Sequence, residues 1–466
     1  MGGVVRVLTG EERERRRRRA EGIVGELLER GVVGVAVTWV DTAGIVRVKT
    51  VPVQRFSHVA AWGVGASPVF DVFLSDDSIV AGRYAGGPVG DLRLHPDPDR
   101  VVVSAAMPGW AWAPGDRYDQ EGGVHPRDSR LLLRRVVDEL AGGGWSVRAG
   151  FEVEWMVGWQ TGDDRFVPVT TAPAYGMARV SGLADYLRDV MVALGDSGVA
   201  VDQVHPEYSA GQFEVSFAAA DPVGAADTLV LVRETVRAVG VAHDMRVSFA
   251  PKVVPEAVGN GGHVHLSLWR DGVNVMSGGD GPCGPTGDGE HFAGGILARL
   301  PALMAVGCAS VASYLRLLPS QWAGVFACWG RENREAALRY VSGCAGERER
   351  AANIEVKCFD ATANPYLLLA GLLAAGAAGL ADSVRLPAPV DVDPGALTPE
   401  QRAAAGIHAL PATLADAITI FEADPVLGKA FGDSLVDTVA TVRRGEIAAL
   451  AGCTPDEVIA RTRWRY

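Results

Sequence analysis

The chain has 466 residues, 48% of them hydrophobic, with 56 acidic against 44 basic side chains and a formal charge of -12. That supports a sizeable core in two or three domains, and argues against nucleic acid as the main partner, which would reward concentrated Lys and Arg. The six cysteines form no CxxC pair, and apolar runs are broken by charge, Gly or Pro before membrane length. A reducing, cytoplasmic setting with no signal peptide and no membrane partner is expected.

The run Arg15 to Arg19 lies beside Glu11, Glu12 and Glu14, and reads as the solvated face of a first helix or a frayed terminus. Residues 21–30 predict a helix ending near Gly31. Strands are expected over 33–40 and 45–53, joined by a turn at Asp41 to Gly44. Residues 20–115 therefore read as a small, sheet-dominated α+β domain. The Gly- and Pro-rich passage at 108–126 marks the boundary, and residues 116–466 form the second domain. There Ser129 precedes a helix over Arg130–Leu140, which three glycines stop. Strand segments separated by helices follow to about residue 375, and the last ninety residues read as helices.

Four short apolar segments carry ionisable residues two apart. They are Glu152 and Glu154 in FEVEW, Glu214 in QFEVSF, His263 and His265 in GHVHLSL, and Glu355 and Lys357 in IEVKCF. Period two puts the polar members of each strand on one face. Such a face normally meets water. Four of them lining one concavity would make an ionic site, and gathered carboxylates with little imidazole suit Mg²⁺ or Mn²⁺ better than zinc. Periodicity alone leaves open whether the four faces converge.

The segments GFEVEW, HPEYSAGQFEVS, GNGGHVHLSLW, SYLRLLPS, WGRENREAALR and IEVKCFDATANPY stand in that order between residues 150 and 366. In order and spacing the chain resembles the glutamine synthetase superfamily, in particular its bacterial glutamate–amine ligase branch, over roughly residues 25 to 460. The resemblance implies a β-grasp-like N-terminal domain and a catalytic domain with curved antiparallel sheet and flanking helices. It implies homo-oligomers of stacked rings, dodecamers above all, with sites shared between subunits. Two or more Mg²⁺ or Mn²⁺ ions would be held, one by Glu154, Glu207 and Glu214, the other by Glu152, His263 and Glu355. His265, Arg334 and Arg339 match the clamp on the phosphates of ATP. Arg316 matches the arginine that holds the amino-acid carboxylate, with Asn260 and Gly261 in the backbone segment receiving the same substrate. Asn364 matches an architectural helix cap.

Three departures bear on the amine. Trp322 stands six residues after Arg316, where the ammonia enzyme has a loop glutamate; an indole neither attracts ammonium by charge nor accepts its proton. Lys357 replaces an arginine and loses the planar fork. Asp71 is the candidate for the N-terminal aspartate of the ammonium site, with Asp76 and Asp77 competing. No tyrosine lies between Tyr366 and Tyr466, so the tyrosine switch of some relatives is not expected. The function expected is an ATP-dependent ligase that joins glutamate, or a similar acid, to an organic amine through an acyl phosphate. Ammonia-dependent glutamine synthesis and a non-catalytic scaffold are the alternatives.

Overall fold

A computed structural model describes residues 7–466. The chain begins with helix α1 (Gly10–Glu29), whose first turn is capped by the Thr9 hydroxyl. Strands β1 (Gly34–Val40) and β2 (Val46–Pro52), helix α2 (Phe56–Trp62), and strands β3 (Val64–Ala66), β4 (Leu92–Pro96), β5 (Val102–Val103) and β6 (Trp110–Tyr118) follow. They form a six-stranded sheet in the order β2-β1-β6-β4-β3, with β5 on β6 and one parallel pair, β1 with β6. β6 runs through residue 115 and ends at Tyr118, within the Gly- and Pro-rich passage. The first helix starts eleven residues earlier than expected and absorbs the arginine run. Arg16 is not solvated: it is buried and reaches Asp116 at 3.0 Å.

The larger unit opens with α3 (Ser129–Gly142) and the long strand β7 (Trp145–Trp159). Asp128, rather than Ser129, is the cap, accepting from the Leu131 N–H. Then come α4 (Met177–Gly182), α5 (Ala184–Asp196), β8 (Val201–Pro206), β9 (Gln212–Ala220), α6 (Pro222–Ala242), β10 (Met245–Ser248), β11 (Gly262–Arg270) and β12 (Val273–Asn274). Next are α7 (Gly287–Gly307), α8 (Ser313–Arg316), β13 (Phe326–Arg331), β14 (Ala336–Val341), α9 (Arg348–Ala351), β15 (Asn353–Val356) and α10 (Pro365–Asp382). A closing set of α11 (Pro399–Ala404), β16 (His408–Ala409), α12 (Leu414–Ala423), α13 (Pro425–Phe431), α14 (Asp433–Ala449) and α15 (Pro455–Thr462) ends the chain.

The ten-stranded sheet runs β16-β13-β14-β15-β11-β7-β9-β8, antiparallel except where β13 meets β14. Its apolar teeth, including Phe151, Val153, Trp155, Val264, Leu266, Ile354 and Val356, enter one core shared with α6, α7 and α10. α10 is 18 residues long and apolar enough to cross a bilayer, unlike the interrupted helices expected, but 72% of it is buried against the rest of the chain. It is the core helix. The two units meet at the β1–β2 turn. Gly44 has φ 87°, and a Cβ there would come within 1.9 Å of the Thr362 carbonyl oxygen, so only glycine lets the turn dock. Asn364 joins both units: its Oδ1 caps α10, while its Nδ2 donates to the carbonyls of Val40 and Asp41.

Candidate active site

The four polar-toothed segments fall on neighbouring strands, β15, β11, β7 and β9, and their teeth pair across the sheet. His263 stands opposite Glu152, His265 opposite Glu355, and Glu154 opposite Glu214, which in turn faces His205 on β8. Arg339 on β14 stands opposite Glu355. Directly opposed residues share a face. The ionic row therefore lies on the side away from the core, and Glu152, Glu154, His205, Glu214, His263 and Arg339 of it line a cavity of about 570 Å³. A wider groove of about 690 Å³ between α3, α10 and α13 gathers none of these donors.

Distances show a carboxylate-rich cluster whose partners are mostly imidazoles. His263 Nδ1 lies 3.2 Å from Glu152 and 3.4 Å from Glu355. Lys357 Nζ and Arg339 each reach Glu355 at 3.0 Å, which commits the lysine charge to that carboxylate. Burial works to raise Glu355, but Lys357, then His265 and His263, hold it down at about 2. Burial likewise opposes ionisation of Glu152, and hydrogen bonds from His263 and His265 overcome it. Glu154 has no such partner. Its carboxylate accepts from the Gly261 N–H and the Gln212 side chain, both at 2.9 Å, and burial followed by the charge of Glu214 pushes it up to about 7. Burial also raises Glu207, although both its oxygens accept from the Tyr175 hydroxyl at 2.7 Å.

Donor atoms come within 4.8 Å of one another in three groups: Glu152, Glu214 and His263; Glu152, His265 and Glu355; and His205, Glu207 and Glu214. All six expected metal ligands are in this cavity or directly beneath it, but the grouping differs from that expected. Glu154 belongs to none of the three, and His265 and His205 each join one. His265 Nε2 faces Glu152 at 3.4 Å, and Arg339 Nε is buried without a hydrogen-bond partner. At Gly261 a Cβ would lie 2.6 Å from His263 Nε2 and 3.1 Å from Glu154 Oε1, so the space between them stays open only because the residue is glycine. Gathered carboxylates and an open cradle fit oxygen-preferring divalent cations.

The other expected site residues divide. Arg316 is nearly buried at the cavity wall, donating to the carbonyls of Cys358 and Lys357. Arg334 and Arg339 line the cavity, as does Trp322, which is 45% exposed. Asn260 does not reach it: its side chain is fully buried, donating to the Ser248 and Ala250 carbonyls and accepting from Gln212. Asp71 is placed elsewhere altogether. It is 1% exposed and bound by Arg117 at 2.5 Å, His125 at 2.7 Å and Arg127 at 2.9 Å. A carboxylate so enclosed and compensated has no face left for a small cation. Sequence reasoning missed His205, Tyr175 and Tyr208. The pair His205 and Glu207, two apart in the strand end VDQVHPEY, carried the same period-two signal as the other four segments.

Comparison with known proteins bears on this site. Residues 126–459 match the family model described as glutamine synthetase, catalytic domain. The chain is 55% identical over 450 residues to γ-glutamylpolyamine synthetase GlnA3 of Streptomyces coelicolor, covering 96% of this chain and 97% of that one. It is 30% identical over 442 residues to glutamine synthetase of Halobacterium salinarum, covering 91% and 92%. Among solved structures, a novel glutamine synthase homolog superposes with a TM-score of 0.83 at 33% identity, covering 93% of this chain and 99% of that one. A GmaS/ADP complex superposes with a TM-score of 0.81 at 26% identity, covering 93% and 97%. With the matched model spanning the whole ionic cavity, the chain belongs to the glutamine synthetase family and is a carbon–nitrogen ligase of that family.

Proposed function

We propose that the protein makes a γ-glutamyl amide from glutamate, ATP and an organic amine. A γ-carboxylate oxygen of glutamate attacks the γ-phosphorus of ATP, releasing ADP and leaving γ-glutamyl phosphate. The amine nitrogen then attacks the acyl carbon, and phosphate departs. Arg316, beside Gly259 at the cavity wall, would hold the glutamate α-carboxylate. Arg334 and Arg339 offer forked positive charge to the transferring phosphoryl group, with His265 beneath. Mg²⁺ or Mn²⁺, two or more per site on Glu152, Glu154, Glu207, Glu214, His263 and Glu355, would neutralise the crowded phosphates. The ammonium form of the amine must shed a proton. Glu207, hydrogen-bonded by Tyr175 and adjoining Tyr208, is the carboxylate along the aromatic edge of the cavity.

The observation that carries an organic amine is Trp322. Its indole meets Tyr208 edge to face at 5.4 Å, giving the rim an apolar surface where ammonia enzymes use a carboxylate. Such a surface favours an amine with a carbon chain and offers ammonia almost nothing. The polyamine activity named for the Streptomyces relative makes polyamines the first class to try. Every residue lining the cavity falls between Glu152 and Lys357, with none from the N-terminal sheet. That supports a stacked-ring homo-oligomer, a dodecamer by family, in which a neighbour's sheet completes the site; sedimentation with activity across the fractions would overturn it by finding a fully active monomer. The amine itself is tested by ATP-dependent amide formation with glutamate across a panel that includes ammonia, read by mass spectrometry. Turnover favouring ammonia throughout the panel would replace this reading with glutamine synthesis.

A further inference from the structure

Between α8 and β13 the loop carrying Trp322 takes an unusual path. Ser320 and Trp322 both have φ 56°, a left-handed conformation that residues with a Cβ seldom adopt. Something must hold it there. Glu335 Oε1 accepts from the Trp322 N–H at 2.6 Å, and the carboxylate is 8% exposed. The Ser320 hydroxyl donates to Asp393 at 2.7 Å. Glu335 is itself braced: its N–H donates to the Asn333 side chain, whose amide donates to the carbonyls of Val390 and Val392.

From this anchor a line of rings crosses the mouth of the cavity. Arg334, the neighbour of Glu335, sets its guanidinium 5.9 Å from the Trp322 ring centre. Trp322 meets Tyr208 edge to face, Tyr208 meets Tyr175 edge to face at 5.3 Å, and Tyr175 stacks on His205 at 5.7 Å. Tyr175 is tied at the far end by its hydroxyl to Glu207. The wall is thus fixed by a carboxylate at each end, Glu335 through the backbone of Trp322 and Glu207 through the hydroxyl of Tyr175.

We infer that Glu335 is a positioning residue for amine selection: it holds Trp322 so that the indole closes an aromatic wall with Tyr208 and Tyr175. The wall selects amines with an extended carbon chain over ammonia. This rests on the organic-amine reading above. Glu335 touches no reacting atom in this scheme, so its loss should act through the indole, and Tyr208 should act on the same substrates.

The test measures kcat and KM for ammonia, ethylamine and 1,4-diaminobutane in wild type, Glu335→Ala, Glu335→Gln, Trp322→Ala, the Glu335→Ala/Trp322→Ala pair and Tyr208→Leu. Glu335→Ala should raise KM for the diamine at least tenfold, with KM for glutamate and ATP moving less than threefold. Glu335→Gln keeps an acceptor oxygen for the Trp322 N–H and should recover most of the loss. In the Trp322→Ala background, Glu335→Ala should add less than twofold, because coupled residues are not additive. Tyr208→Leu, at a residue 43% exposed, should raise diamine KM even if Glu335→Ala fails to fold. Wild type favouring ammonia removes the amine reading and this inference together, before any variant is needed. Wild type favouring the diamine, with losses that multiply in the pair or fall equally on glutamate and ATP, overturns the role of Glu335 alone. A Tyr208→Leu variant with unchanged diamine KM overturns the wall.

Discussion

Two buried ionic clusters in this chain follow opposite rules. Where the two units meet, Arg130 reaches Asp97, Asp116 and Asp227 at 2.7 to 2.9 Å, while Arg16 takes the other oxygen of Asp116. Nearby Arg117 bridges Asp71 and Asp128, Arg127 joins at Asp71, and Arg134 joins at Asp97. Aspartates 71, 97, 116, 128 and 227 are matched there by arginines 16, 117, 127, 130 and 134. In the cavity, Glu152, Glu154, Glu207, Glu214 and Glu355 crowd together. Lys357 and Arg339 pair with Glu355, and the ion-pair partners of Glu152, Glu207 and Glu214 are only imidazoles. Glu154 has no ion pair among the described residues, and Arg339 Nε is left over. A balanced, hydrogen-bonded cluster is architecture. An unbalanced one with an orphaned atom is built to receive charge from outside.

The sharpest way to break this contrast is to unbalance the junction. Arg130→Met leaves three buried aspartates short of a partner and should cost about 3 to 5 kcal/mol of unfolding free energy in urea titrations. A cost below 1 kcal/mol would mean that the junction is not the structural cluster described. Asp71→Asn should cost about 3 kcal/mol at neutral pH by the same argument. Burial raises the Asp71 carboxyl, but Arg117, His125 and Arg127 together hold it well below the usual range. Its stabilising effect is therefore fully present above the unfolded value of about 3.9 and is lost as pH falls through the lower folded value. The gap between wild type and Asp71→Asn should thus narrow between about pH 4 and pH 2, as measured by melts across that range.

In the cavity the same kind of change should spare the fold and remove the chemistry. Glu152→Gln keeps shape while stripping charge from two of the three donor groups. It should lower kcat by at least a hundredfold, about 3 kcal/mol of barrier, with circular dichroism and the urea midpoint close to wild type. Full turnover in that variant, or in chelator without added metal, would end the metal assignment. The smallest effect is the most selective. Trp322→Ala should lower kcat/KM for a bulky amine by about 1 to 3 kcal/mol while leaving ammonia nearly unchanged, and Trp322→Glu should narrow or invert the preference. Equal losses for all amines would assign the ring to loop closure instead.

How much of this was legible beforehand depended on the range of the interaction. The period-two teeth of FEVEW, QFEVSF, GHVHLSL and IEVKCF are local, so their common face could be read from the sequence directly. So could the hairpin over 33–53 and the cap at Asn364, because both depend on residues within a few positions. Arg16 and Asp71 were misplaced because their partners lie 100 and 46 residues away, and an arginine run or a short acidic loop looks the same whether solvated or enclosed. The side chain of Asn260 was equally illegible: its amide is committed to backbone carbonyls 10 and 12 residues upstream. Glu335 gave no signal at all, since holding a strained loop leaves no periodic mark.

The sequence by itself determined the strands, the alternation that sends apolar teeth to the core, and the ordered motifs that carry the family resemblance. It also put Trp322 where the resemblance implies a loop carboxylate in the ammonia enzyme. Only the tertiary structure decided that β15, β11, β7 and β9 are neighbours, which makes four faces into one site. It alone separated the aspartates matched by arginines from Glu154, which has no ion pair among the described residues. The physical reason is that the fate of a buried charge depends on which opposite charges and dipoles surround it in space, and strand pairing across 56 to 125 residues sets that arrangement.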